Sequence, residues 1–239
     1  MTRYSVRTIF RSKITIENRF YWHFILDLTV RKNLIFDLDG TLIDSSDGVV
    51  EATNFALTAI GDKPRPPEEI KPFIGYPLEE MFNHFSDKSY SDFWNHFQKK
   101  AREVIVASAR PIGRAGDVLH QLHDRGYRLG IGTTKIRIHI DKILDKFAWR
   151  KFITAYVGAD DVIRVKPDPE AFIKTMSLMG ANSGNSVVIG DTINDVYAAH
   201  AATIPVIAVR SIFGDNKKLE KSHPDKILNS LEELLVLFK

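Results

Sequence analysis

Short apolar runs bounded by polar or turn residues recur along the chain at Leu34-Ile35-Phe36, Arg128–Gly132, Ile153–Val157, Ser186–Gly190 and residues 204–209. A strand covered on both faces has this pattern, because neither side of its pleat meets water. Helical stretches over residues 138–147, 169–179 and 193–202 follow the second, third and fourth runs. Strands separated by helices of that length need crossover connections and build a parallel sheet, so the spacing predicts a doubly wound, Rossmann-like α/β fold.

Between Asp44 and about Arg110 the alternation stops. Residues 51–60, 78–85 and 89–109 carry apolar positions at helical spacing, with Leu78, Met81, Phe82 and Phe85 along one face. Lys63-Pro64-Arg65-Pro66-Pro67 separates the first helix from the next. The block predicts an all-helical lobe inserted after the first strand. The expected organisation is an N-terminal extension over 1–31, an α/β core over 32–46 and 109–239, and a helical cap over 47–108.

Composition narrows the chemistry. The 239 residues suffice for one α/β domain and a small accessory one, and 44% hydrophobic with 26% charged residues is an ordinary globular balance. Without cysteine there is no disulfide and no thiolate ligand or nucleophile, so any metal must be held by oxygen or imidazole. The formal charge of +3 is concentrated near the N-terminus, where Arg3, Arg7, Arg11, Lys13, Arg19, Arg31 and Lys32 face only Glu17 and Asp27. No basic face runs across the body of the chain, so nucleic acid is not expected as a partner. The apolar run over 20–26 is broken by His23 and closed by Asp27, too short for a bilayer, and no membrane partner is expected. Arginine spacing in residues 1–31 has a faint likeness to a transit peptide, but the stretch is poor in Ser and Ala and ends in bulky aromatics. It reads as an extension, and a cytoplasmic location is expected.

Candidate chemistry gathers where the strands end. The first strand closes with Asp37-Leu38-Asp39-Gly40-Thr41, and the fourth with Gly190-Asp191-Thr192-Ile193-Asn194-Asp195. In an open parallel sheet ligands bind at the carboxyl ends of the strands, so adjacent central strands would bring Asp191 beside Asp37 and Asp39. Such carboxylates repel unless a cation or a proton lies between them. An all-oxygen set of this kind suits magnesium. Alone, an Asp-x-Asp can be a turn and Asp191 a helix cap, but that does not explain three acids at two strand ends. Thr133-Thr134-Lys135 follows the second strand at a helix start that suits a phosphate oxygen. Lys166, in Val165-Lys166-Pro167-Asp168-Pro169-Glu170, would reach the same crevice as a point charge.

Acid pair, Thr, Lys and acid pair, in that order, resemble the haloacid-dehalogenase-like superfamily from about residue 33 to the C-terminus. The helical insertion and Phe73-Ile74-Gly75-Tyr76-Pro77-Leu78 are similar to the cap of its phosphoglycolate-phosphatase-like branch. The resemblance implies a magnesium-dependent phosphatase acting on a small phosphorylated metabolite, with phosphoglycolate the first expectation. It implies Asp37 as nucleophile and Asp39 as proton donor and base. Asp37, Asp191 and the backbone carbonyl of Asp39 would hold magnesium, with Asp195 behind them, and Thr133, Thr134 and Lys166 would bind the phosphate. Two features depart from that branch: Thr134 stands where relatives usually carry Asn, and Ile112-Gly113-Arg114-Ala115 replaces a Pro-rich re-entry from the cap. Asp39 argues against a haloacid dehalogenase, which lacks that acid. A sugar phosphomutase uses the same acids and stays open. The contrasting class, a non-catalytic phospho-acceptor resembling a receiver domain or a binding module, would lack the helical lobe or one of the two acids.

Overall fold

The computed structural model describes residues 30–239, so the extension as far as residue 29 lies outside the described residues. Six parallel strands form one sheet in the order β5-β4-β1-β6-β7-β8: β1 (Asn33–Phe36), β4 (Arg128–Gly132), β5 (Ile153–Val157), β6 (Ser186–Gly190), β7 (Val206–Val209) and β8 (Lys226–Leu228). A two-residue antiparallel ladder joins β2 (Ile43–Asp44) to β3 (Arg110–Pro111). Each predicted strand is present. The last begins at Val206 rather than 204, since Pro205 has no N–H to give a ladder and instead offers its carbonyl to Val188.

Alternating side chains of the strands feed two cores, one on each face. Leu34, Phe36, Val187, Ile189 and Ile207 pack on one side, and Ile35, Val188, Val206 and Ala208 on the other. The first face is covered by α4 (Ala115–Asp124) and α5 (Arg137–Lys146), and the second by α6 (Glu170–Leu178) and α7 (Ile193–Ala201). Helix α4 and strand β8 have no counterpart in the sequence reading. Arg31, which that reading left in the extension, is buried: its Nη1 donates to the carbonyls of Ser183 at 2.9 Å and Ser186 at 2.6 Å, at the amino end of β6.

The longer inserted helices are α1 (Ser46–Ala59), α2 (Leu78–Phe85) and α3 (Tyr90–Ser108). They bury a core of their own, including Ala56, Leu57, Met81, Phe82, Phe93 and Phe97. Helix α1 starts at Ser46, five residues before the predicted 51, because its first turn is polar and carries no apolar rhythm. Helix α3 starts after Ser89, whose hydroxyl accepts from the Asp92 amide and caps it. Where α3 returns to the sheet, Lys146 donates to the carbonyls of Val106, Ala107 and Ala109 at 2.8, 2.9 and 2.8 Å. Arg110, on the returning strand β3, pairs with Asp47 in the first turn of α1 at 2.6 Å.

Candidate active site

Strand β1 lies between β4 and β6, at the point where the chain, having added strands on one side, crosses to the other. Its carboxyl end, with that of β6, is the switch point at which open α/β sheets bind ligands. Asp37 leaves β1 there, its amide donating to the Ile189 carbonyl of β6 at 2.8 Å. Lys166 comes from the loop before α6 and is fully buried between two carboxylates, 2.6 Å from Asp37 Oδ1 and 2.6 Å from Asp195 Oδ1. Asp195 sits in the first turn of α7, where its other oxygen accepts from the Thr192 amide at 3.0 Å and hydroxyl at 2.7 Å. This reciprocal cap fixes the carboxylate and the start of the helix together.

Asp191 is held by two hydroxyls, Thr41 at 3.0 Å on Oδ1 and Ser211 at 2.6 Å on Oδ2. Gly40, in the first motif, has φ +84°, and a Cβ there would fall on the Asp191 carboxylate, so only glycine lets the β1 and β6 loops approach this closely. Ligand oxygens of Asp37, Asp191 and Asp195 all lie within 4.8 Å of one another. Three buried carboxylates around one ammonium leave excess negative charge, which burial makes costly. Burial, opposed by Lys166 and reinforced by Asp195, pushes the Asp37 carboxyl up to about 7. Burial and then the Asp195 and Asp37 charges raise Asp191 well above the usual carboxylate range. Burial works against the Lys166 ammonium, but the Asp195 and Asp37 carboxylates more than offset it and keep the proton on.

A divalent cation fits this arrangement. Among the described residues, Asp37 Oδ2 is buried with no hydrogen-bond partner, and the surrounding donors are carboxylate oxygens. Both oxygens of Asp195 are engaged by Lys166 and Thr192, whereas Asp37 keeps one uncommitted.

Asp39 belongs to a second pairing. Ser45 donates to its Oδ1 at 2.5 Å and the Lys135 ammonium lies 3.0 Å from its Oδ2, all three side chains being buried. The two acids of the first motif are thus served by different lysines. Thr133 is buried and its hydroxyl accepts from the Lys135 amide at 3.3 Å, while the Thr134 hydroxyl lies 3.5 Å from the Gly75 carbonyl of the inserted lobe. Gly75, at φ +87°, brings that lobe against Thr192; a Cβ would stand 2.9 Å from its methyl.

All the sequence-selected residues, Asp37, Asp39, Thr133, Thr134, Lys166, Asp191 and Asp195, stand at the carboxyl end of the sheet; Asp37 and Asp195 share Lys166, Asp39 pairs with Lys135, and Asp191 is held by hydroxyls. Sequence reasoning missed Ser45, Lys135 and Ser211. Lys135 directly follows Thr133-Thr134, and Ser211 stands two residues beyond β7, so the strand-end rule had a signal for both. Ser45 has none.

Above Asp39 and Lys135 a cavity of about 420 Å³ opens towards the inserted lobe. Its walls come from the 73–81 segment and one side of α3, and it meets the core at Thr134, Ile136 and His139. His139 is buried, and its imidazole is held at about 4, by burial first and by the Lys135 ammonium second.

The family model described as haloacid dehalogenase-like hydrolase matches residues 34–209. The Dickeya dadantii protein named "Probable phosphatase IndB" is 30% identical over 212 residues, 84% of this chain and 91% of that one. Pyrophosphatase PpaX of Oceanobacillus iheyensis is 28% identical over 210 residues, covering 86% and 96%. Among solved structures, a hydrolase of the haloacid dehalogenase-like family from Streptococcus pneumoniae superposes with a TM-score of 0.81 at 25% identity, over 88% of this chain and all of that one.

Proposed function

From the premise that this chain belongs to the haloacid dehalogenase-like hydrolase family and is a phosphatase, we propose that it hydrolyses a small phosphate monoester through an aspartyl-phosphate on Asp37, with magnesium as cofactor. The observation that carries the reading is the Asp37 carboxylate: one oxygen is fixed by Lys166 at 2.6 Å and the other is buried without a partner among the described residues.

An Asp37 oxygen attacks phosphorus in line, forming the acyl-phosphate bond as the bond to the leaving oxygen breaks. Asp39 gives its proton to that oxygen. Asp39 then takes a proton from water as the water oxygen attacks phosphorus, the Asp37–phosphorus bond breaks and inorganic phosphate leaves. Phosphoryl transfer needs positioning and neutralised charge more than elaborate covalent chemistry. Lys166 supplies one fixed positive charge beside the nucleophile, and Thr133 and Thr134 complete the phosphate cradle. Magnesium, held by Asp37, Asp191 and the Asp39 carbonyl with Asp195 behind them, would neutralise charge between an anionic nucleophile and an anionic phosphate. Lys135 and Ser45 orient Asp39 towards the cavity. The lobe over residues 47–108 covers the crevice, excludes water and supplies the leaving-group contacts.

Trapping the intermediate tests the scheme. Asp37→Asn should abolish turnover and yield no hydroxylamine-sensitive phosphoprotein. Asp39→Asn should accept phosphate from substrates with good leaving groups, then hydrolyse it about 10²–10⁴-fold more slowly. Phosphate mapped to any residue other than Asp37, or a fully active Asp37→Asn protein, refutes the mechanism. Transfer of the phosphate to a sugar hydroxyl rather than to water would favour the mutase.

A further inference from the structure

We infer that the leaving group accepted here is a bulky, uncharged, apolar or aromatic alcohol, so that the substrate is its phosphate monoester and not one whose departing part carries an acid. The inference rests on the phosphatase reading and names the substrate class of that site.

The cavity above Asp39 is where the departing oxygen and its substituent must lie, because Asp39 is the proton donor and lines its floor. Its walls are Phe73, Leu78, Met81, Tyr90, Trp94 and Phe97. At about 420 Å³ it is within the range of pockets that enclose whole organic ligands, far more than a two-carbon acid would fill.

Charge decides more than size. The basic side chains in the lining are Lys135 and His139. Lys135 is already paired with Asp39 at 3.0 Å, and His139 is neutral, with a pKa of about 4 set by burial. The other charged side chains that border the space, Glu79 and Asp160, are acids. A carboxylate or second phosphate entering here would meet acids and, among the described residues, no uncommitted countercharge. Phosphoglycolate and pyrophosphate, the substrates that the branch resemblance and one named relative would otherwise point to, both ask for that.

The polar groups that remain are neutral. Thr134, Tyr76 and Gln98 are among them; His139 Nε2 is buried without a hydrogen-bond partner among the described residues, and the Tyr90 phenol, pushed up to about 12 by burial and then by Glu79, keeps its proton. A single neutral hydrogen-bonding group on the leaving alcohol would satisfy the histidine, whose unmet capacity otherwise costs stability.

The test compares alkyl esters, so that leaving-group acidity stays nearly constant: 2-phenylethyl phosphate, ethyl phosphate and phosphoglycolate, each with magnesium, by released phosphate. The phenylethyl ester should show kcat/KM at least about 30-fold above both others, the discrimination expected of one well-buried apolar group. Trp94→Leu should narrow the phenylethyl-to-ethyl ratio, and Leu78→Arg should raise phosphoglycolate relative to both. A binding arm needs no turnover. Quenching of tryptophan fluorescence by 2-phenylethylphosphonate and by ethylphosphonate should differ in midpoint by a similar factor. Phosphoglycolate or pyrophosphate outrunning the phenylethyl ester, or equal midpoints for the two phosphonates, overturns the inference while leaving the phosphatase intact. No phosphate released from any ester, 4-nitrophenyl phosphate included, would instead sink the phosphatase reading, and the inference with it.

Discussion

Replacing Lys166 by methionine removes the one ammonium among three buried carboxylates while keeping most of the side chain's volume. Its Nζ lies over the Phe172 ring, 5.4 Å from the ring centre, a contact that an unbranched thioether can still fill. The electrostatic loss is double, since both 2.6 Å contacts, to Asp37 and Asp195, go at once and leave anions that water cannot reach. Removing one partner of a buried pair typically costs about 3–5 kcal/mol. The protein can relieve part of this by taking up protons. Asp37, already at about 7 with Lys166 beside it, should move higher without it. The variant should therefore be destabilised by about 3–5 kcal/mol at pH 8 and by less at pH 5.5, where the carboxylates are protonated. Urea unfolding of the chelated protein at the two pH values measures this, and 4-nitrophenyl phosphate turnover should be lost in parallel. Adding Asp195→Asn to Lys166→Met should cost less than the sum of the two single changes, because each disrupts the same pair. A loss below about 1 kcal/mol at pH 8, a loss independent of pH, or strict additivity would refute the reasoning.

The same cluster predicts a pH-dependent response to metal. Asp37 titrates near 4 unfolded and at about 7 folded, so folding takes up protons in that interval. The chelated protein should melt at a lower temperature at pH 8 than at 5.5, magnesium should close the gap, and equal melting at both pH values would count against a shared buried charge. Turnover should vanish on chelation and return with magnesium but not with calcium, whose looser coordination suits the site poorly. Lys146→Met should release the three carbonyls at the end of α3, lower stability by about 1 kcal/mol and shift kcat and KM together, as loosening of the lobe would; a change in KM alone would argue otherwise. Arg31→Ala should destabilise by about 1–3 kcal/mol through the stranded Ser183 and Ser186 carbonyls, measurable by urea unfolding, with the metal affinity untouched.

The α/β core was legible in the residues because a strand buried on both faces must be apolar along its length, as Leu34, Ile35 and Phe36 of β1, Val187, Val188 and Ile189 of β6 and all of β7 are. Asp37, Asp39 and Asp191 were legible for a related reason: charge directly after such a run has no place in the core and marks the strand end where ligands bind. Helix α4 escaped because its apolar stripe of Val118, Leu119 and Leu122 is short and lies between polar residues, and β8 because three residues carry too little rhythm. Which lysine serves which acid was beyond the sequence. Lys166 reaches Asp37 across 129 positions, and Lys135 reaches Asp39, because the crossover connections lay β4 and β6 on either side of β1 and bring the loops after β4 and before α6 to the same edge. Ser45 on Asp39 and Ser211 on Asp191 depend likewise on where short polar loops come to rest, which no local periodicity records. The apolar lining of the lobe was written in the sequence as helix-spaced aromatics, but a stripe of that kind reads as core. Only its packing separates Phe93, which fills the lobe, from its neighbour Trp94, which borders the cavity, since helical residues next to one another in sequence point a hundred degrees apart.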